Sequence, residues 1–159
     1  MDRTPLDTTP VADLDAGTIT RTVLVRAPKQ ETWEALTDPE AIGQWWGMPA
    51  DVPGGMREGA TGTLEWRDHG LMPIRVARFD VPTRFDLVWG QLGEEEPGET
   101  ASLVQFTLDD DGQGRTLVTV LESGFRHLPT AERRAAMDDN VGGWIQVLDS
   151  FVAHVEARA

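Results

Sequence analysis

The chain has 159 residues, 40% hydrophobic and 26% charged, which suits one soluble domain with a real core. Its 14 basic and 27 acidic side chains give a net charge of −13, a surface that repels phosphate backbones and anionic lipid heads, so neither nucleic acid nor membrane is expected as a partner. The absence of cysteine excludes disulfides, thiolate nucleophiles and Cys-based metal sites.

No run of residues approaches the ~20 apolar positions needed to span a bilayer. The opening MDRTPLDTTPVADLDAG has no basic start followed by an apolar stretch, so it does not read as a secretory signal, and a cytoplasmic location is expected. Residues 1–16 are rich in Asp, Thr and Pro and lack periodicity, which predicts a flexible N-terminal tail. The domain is expected to occupy 17–159.

Thr18 to Arg26 is β-branched and alternating, a strand signal. Ala27-Pro28 ends it, and Lys29 to Thr37 follows as a short helix with Trp33 and Leu36 on one face. Asp38 and Pro39 are an N-cap and a first helical residue, so a second short helix carries Ile42, Trp45 and Trp46 and stops at Gly47. Met48 to Gly62 reads as a long loop, of the kind usually functional or mobile. Strands are then predicted over Thr63–Arg67, Met72–Val81, Arg84–Trp89, Ala101–Leu108 and Arg115–Glu122, separated by turn signals such as Asp109 to Gly114. From Thr130 the period becomes helical, with Met137, Val141, Trp144, Ile145, Leu148, Val152 and Val155 on one stripe. Gly142-Gly143 within that helix either permits a kink or admits a close neighbour, whether sheet backbone or ligand. A sheet with one apolar face and a helix with one apolar stripe cover each other.

Local sequence sharpens this order into a resemblance. RAPKQETWEALTDPEAIGQWWG (Arg26 to Gly47) resembles the first strand end and helices of the activator-of-heat-shock-ATPase-homologue family, within the START-like, polyketide-cyclase-like (SRPBCC) superfamily. VPTRFDLVW (Val81 to Trp89), LESGF (Leu121 to Phe125) and GGWIQVLDSFVAHVE (Gly142 to Glu156) resemble later segments of the same family. The Met48–Gly62 loop departs from it, with only Gly54-Gly55-Met56-Arg57 as a partial echo. The resemblance implies an α+β helix-grip fold: a curved antiparallel sheet of about six strands, with two short helices, wrapped around a long C-terminal helix that borders a cavity. It also implies a range of activities, since the superfamily includes lipid and hormone binders, polyketide cyclases and domains that stimulate a chaperone ATPase.

Strand alternation supplies candidate cavity residues. If Val118, Val120 and Glu122 face inward, so do Phe85, Leu87 and Trp89, and Val104, Phe106 and Leu108. Arg75, Ala77 and Phe79 are placed inward on the same basis, with Leu64 and Trp66, and Trp144 and Leu148 from the helix. Trp46 is a candidate for the cavity mouth, because adjacent helical residues cannot both face the core. The ligand-binding candidates are therefore Trp46, Trp66, Arg75, Phe79, Leu87, Trp89, Phe106, Val120, Glu122, Trp144 and Leu148. Arg75 and Glu122 either pair as a structural salt bridge or orient a polar group on a ligand.

His69, His127 and His154 are scattered, and neither a zinc motif, a nucleophile elbow nor a phosphate-binding loop is present. No cofactor and no metal are expected. The reading that follows is a non-enzymatic binder of a small hydrophobic or amphipathic molecule. One alternative is a protein-interaction module with an exposed Trp45 or Trp46, and another is a cyclase- or dehydratase-like enzyme using Glu122 or His69. A homodimer is compatible with all three.

Overall fold

The computed structural model describes residues 6–158. Eight antiparallel strands form one sheet: β1 (Val11–Asp13), β2 (Thr18–Val25), β3 (Ala50–Asp51), β4 (Thr61–Trp66), β5 (Gly70–Asp80), β6 (Arg84–Trp89), β7 (Ser102–Asp110) and β8 (Thr116–Ser123). Their spatial order is β1-β2-β8-β7-β6-β5-β4-β3. Between β2 and β3 lie α1 (Lys29–Thr37) and α2 (Pro39–Trp45), and the long α3 (Thr130–Arg158) follows β8. The sheet curves around α3 in the helix-grip arrangement. It has eight strands rather than about six because β1 and β3 are edge segments of three and two residues, too short to show alternation.

Part of the stretch expected to be a flexible tail lies outside the described residues, at 1–5. Val11–Asp13 is ordered as β1, in register with Thr18–Thr20 of β2. The long loop before β4 contains β3, which pairs Ala50 with Leu64. Gly62 permits that pairing, since a Cβ there would collide with the Asp51 carbonyl.

The core follows from alternation. Ile19, Val23 and Val25 of β2 and Val118 and Val120 of β8 point inward, with Val104, Phe106 and Leu108 of β7 and Phe85 and Leu87 of β6. From α3, Met137, Trp144, Leu148, Phe151 and Val155 are buried against them. Phe151 takes the place on this stripe expected for Ile145, which is exposed. Gly142 and Gly143 lie in an unbroken helix, and no atom comes within 4 Å of where either Cβ would stand.

The helix pair is locked by Asp38, whose side chain accepts from the Glu40 N–H at 3.4 Å, and by the Trp45 indole N–H, which donates to the Ala35 carbonyl at 2.8 Å. The inward phase of β2 also carries a charge. Arg21 is buried and donates to the Trp144 and Ile145 carbonyls of α3 at 3.0 and 3.1 Å, to the Thr8 carbonyl at 2.7 Å and to Asp149 at 2.8 Å. The guanidinium thus holds the helix, the N-terminal segment and the sheet in one register. Asp149 is largely exposed, so its ion pair is screened and contributes little. Removing the guanidinium instead leaves a void and strands several carbonyls. Arg21→Met is therefore expected to lose about 2 kcal/mol or more, and Asp149→Asn less than about 1 kcal/mol, by denaturant unfolding.

Candidate functional site

Aromatic side chains fill one end of the space between sheet and helix. Phe85 stacks on Phe106 with centroids 6.0 Å apart, Phe79 and Phe85 flank Trp33, and Trp144 meets Phe106 edge-on at 6.0 Å. Phe79, Leu87, Phe106, Val120 and Leu148 belong to this packing and do not line the main opening. The other end is left open as a cavity of about 670 Å³. Its wall comes from strand ends that the register brings together: Trp66 of β4, Met72 of β5, Trp89 of β6, Ser102 of β7 and Glu122 of β8. Met48 after α2, Phe125, His127 and Leu128 in the β8–α3 connection, and Ala136 and Asn140 of α3 add to it.

Glu122 is the chemical centre of this wall. Its side chain is buried, with the residue 1% exposed. Asn140 Nδ2 donates to both carboxyl oxygens, at 3.0 and 3.2 Å, and Trp144 Nε1 donates to Oε1 at 2.9 Å. No ion pair to it occurs among the described residues. Burial raises its pKa above the ordinary 4.5, and hydrogen bonds from Trp144, Asn140 and Ser102 counter part of that rise.

The candidate pair of Arg75 with Glu122 does not form, and Arg75 does not face the cavity. It points to solvent from β5, while Met72, Ile74 and Val76 point inward. The reason is a bulge at Ala77: Val76 pairs with Leu87 and Arg78 with Asp86, leaving one extra residue on β5. Counting back by twos from the inward Phe79 crosses that bulge and inverts the face.

Trp66 stands at the rim, 47% exposed, with its ring 4.2 Å from that of His69. Trp89 is half-buried, lines the cavity and donates its indole N–H to the Met72 sulfur at 3.1 Å. Trp46 is half-buried between Trp45, Trp89 and Trp144, with centroids 5.4 to 5.7 Å away. It lines a second, smaller opening of about 80 Å³ with Trp89, Asn140, Gly143, Trp144 and Val147. Sequence reasoning missed Asn140 and Ser102. Asn140 precedes Trp144 by four residues and so shares its helix face, a spacing that was there to be read. Among the described residues no cluster of His, Asp and Glu could hold a metal ion.

The geometry defines a START-like helix-grip domain with an internal cavity, and solved structures agree on the fold. Protein MLL2253 from Mesorhizobium loti superposes with a TM-score of 0.75 at 23% identity, covering 89% of this chain and 98% of that one. DynU16, described as a putative protein in the dynemicin biosynthetic locus, gives 0.71 at 26% identity, covering 88% of this chain but 47% of its own, so the present chain spans about half of it. The Aha1 dimer from Colwellia psychrerythraea gives 0.68 at 18% identity over 87% and 96% of the two chains. Residues 26–156 match the family described as Activator of Hsp90 ATPase homolog 1-like protein, and the chain belongs to that family. No curated protein matches the chain. No helix of the described residues is long and apolar enough to cross a membrane.

The raised pKa of Glu122 has a stability consequence with a definite sign. Between the ordinary value of 4.5 and the higher folded value, the unfolded chain has released a proton that the folded chain still holds. The contribution of this group to stability is therefore full below pH 4.5 and is lost as pH rises through the folded value. The difference in melting temperature between wild type and Glu122→Gln should shift steadily in favour of the Gln variant from pH 4.5 upward and then level off. A pH-independent difference in paired thermal scans refutes the assignment.

Proposed function

We propose that this domain binds a small amphipathic molecule in the cavity beneath α3, with Glu122 and Asn140 holding its polar end and Trp66, Met72, Trp89 and Phe125 enclosing its apolar body. One observation carries the reading: a cavity of about 670 Å³ has a mostly apolar wall and a single buried carboxyl group held in a hydrogen-bond cradle. That size lies in the range of roughly 300–1,000 Å³ usual for small-molecule sites, and a few convergent polar groups on an apolar wall is their usual composition.

A docking role on another protein is the second reading. Trp66, Leu71 and Leu92 are exposed together near the cavity rim, where Gly70 brings the β4–β5 turn against Leu92. Trp45 is buried and Trp46 half-buried, so that tryptophan pair is not the exposed contact. The dimer described for the Colwellia psychrerythraea protein makes a second copy of this chain a partner worth testing. The enzymatic alternative keeps Glu122, a cavity-facing carboxyl group, as its proton donor, whereas His69 lies on the rim against Trp66.

Native mass spectrometry of freshly purified protein is expected to show a retained species of defined extra mass. Ala136→Phe, which places a ring in the cavity, is expected to abolish that species without loss of helical circular dichroism. A spectrum free of adducts, with unchanged binding of added hydrophobic probes by Ala136→Phe, sinks the reading. The same spectrum counts the subunits.

A further inference from the structure

We propose that the cavity selects amphipathic amines, seating an aromatic or apolar body on the tryptophan wall and an ammonium group against Glu122. The inference rests on the cavity being a binding site and names the class of ligand that site takes.

The argument begins with the donors around the carboxyl group. Asn140 and Trp144 present only N–H groups to it, and an indole N–H cannot accept a hydrogen bond. The third partner, the Ser102 hydroxyl, can donate or accept, so the two fixed donors tilt the cradle toward the acceptor form, the carboxylate. Yet that carboxylate is desolvated and has no cation beside it, an arrangement that opposes ionisation. Hydrogen bonds favour the charge while burial resists it, and a cation entering from the cavity removes the conflict.

The remaining charged groups leave that role to a ligand. Among the described residues the cavity wall contains no Lys or Arg, and its only ionisable groups are Glu122 and His127. Arg21, the buried cation on the same face of the sheet, is spent on the Thr8, Trp144 and Ile145 carbonyls and on Asp149. An organic anion would enter a low-dielectric site already occupied by a carboxyl group and meet no Lys or Arg. An ammonium group gains an ion pair with Glu122. The net charge of −13 raises the local concentration of cations over anions before binding begins.

Isothermal titration calorimetry with three probes that share one naphthyl body separates the possibilities: naphthylethylamine, naphthylethanol and naphthylacetate. The amine is expected to bind about tenfold or more tightly than the alcohol, the increment of a charge-assisted hydrogen bond, with the acetate weakest. Glu122→Gln should bring the amine to within about threefold of the alcohol, the amine losing more affinity than the alcohol does. If the Gln variant does not fold, the ranking of the three head groups on the wild-type protein still decides. An alcohol or acetate that binds as tightly as the amine overturns the amine preference and leaves the cavity standing as a site. Absence of heat from all three probes, with the protein folded by circular dichroism, overturns both.

Discussion

The indole of Trp144 ties together three parts of the molecule that would otherwise be free to slide. Its backbone carbonyl accepts from Arg21 of β2, its Nε1–H donates to Glu122 of β8, and its ring packs against Trp46 and Phe106. A helix lying in a curved sheet is held mainly by apolar contact, which is non-directional and sets no register along the helix axis. The two polar contacts at Trp144 are directional and lie on opposite strands of the β2–β8 pair, which fixes both the height and the rotation of α3. Asn140 is then delivered to the carboxyl group one turn earlier on the same helix.

That register decides where the empty space falls. The rings of Trp33, Phe79, Phe85 and Phe106 occupy one end of the grip, while the residues toward the N-terminal end of α3 are small or polar, Ala136 and Asn140 among them. Across from them, β7 presents the small Ser102 to the cavity. The cavity is therefore a consequence of side-chain volume at defined positions rather than of a gap between elements. Gly143 contributes to the smaller opening in the same way, by leaving open space where another residue would place a Cβ. A pair of glycines in the middle of a helix lowers its stability by roughly 1 kcal/mol each, and no close approach from another element accounts for them here.

Much of the fold was legible because its signals are local. The alternation of β2, β6, β7 and β8, the Asp38-Pro39 start of α2 and the change of period at Thr130 each depend on neighbours within a few residues. What escaped depends on distance. The bulge at Ala77 has no glycine to mark it, and it moved Arg75 from the cavity to the solvent while leaving Phe79 inward. On α3, steps of three and four both remain on an apolar stripe, so Ile145 and Phe151 were not distinguishable until the helix had a rotation. Arg21 sits visibly on the inward phase of its strand, but two of the carbonyls that satisfy it lie more than 120 residues further on. Glu122 was readable as an inward carboxyl, and its partner was not, since the nearer guess of Arg75 fails and the true donors come from a helix whose orientation had first to be known.

A glutamine at position 122 would not satisfy the same side chains equally well. Its amide oxygen could accept from Trp144 and Asn140, but its amide nitrogen would stand where Oε2 accepts from Asn140 Nδ2 at 3.2 Å, setting two donors against each other. The donors of α3 therefore match a carboxyl group, while desolvation counts against its charged form. Architecture explains why position 122 is inward and polar. Its carboxyl group also lies on the cavity wall, where burial opposes the charge that its fixed donors favour.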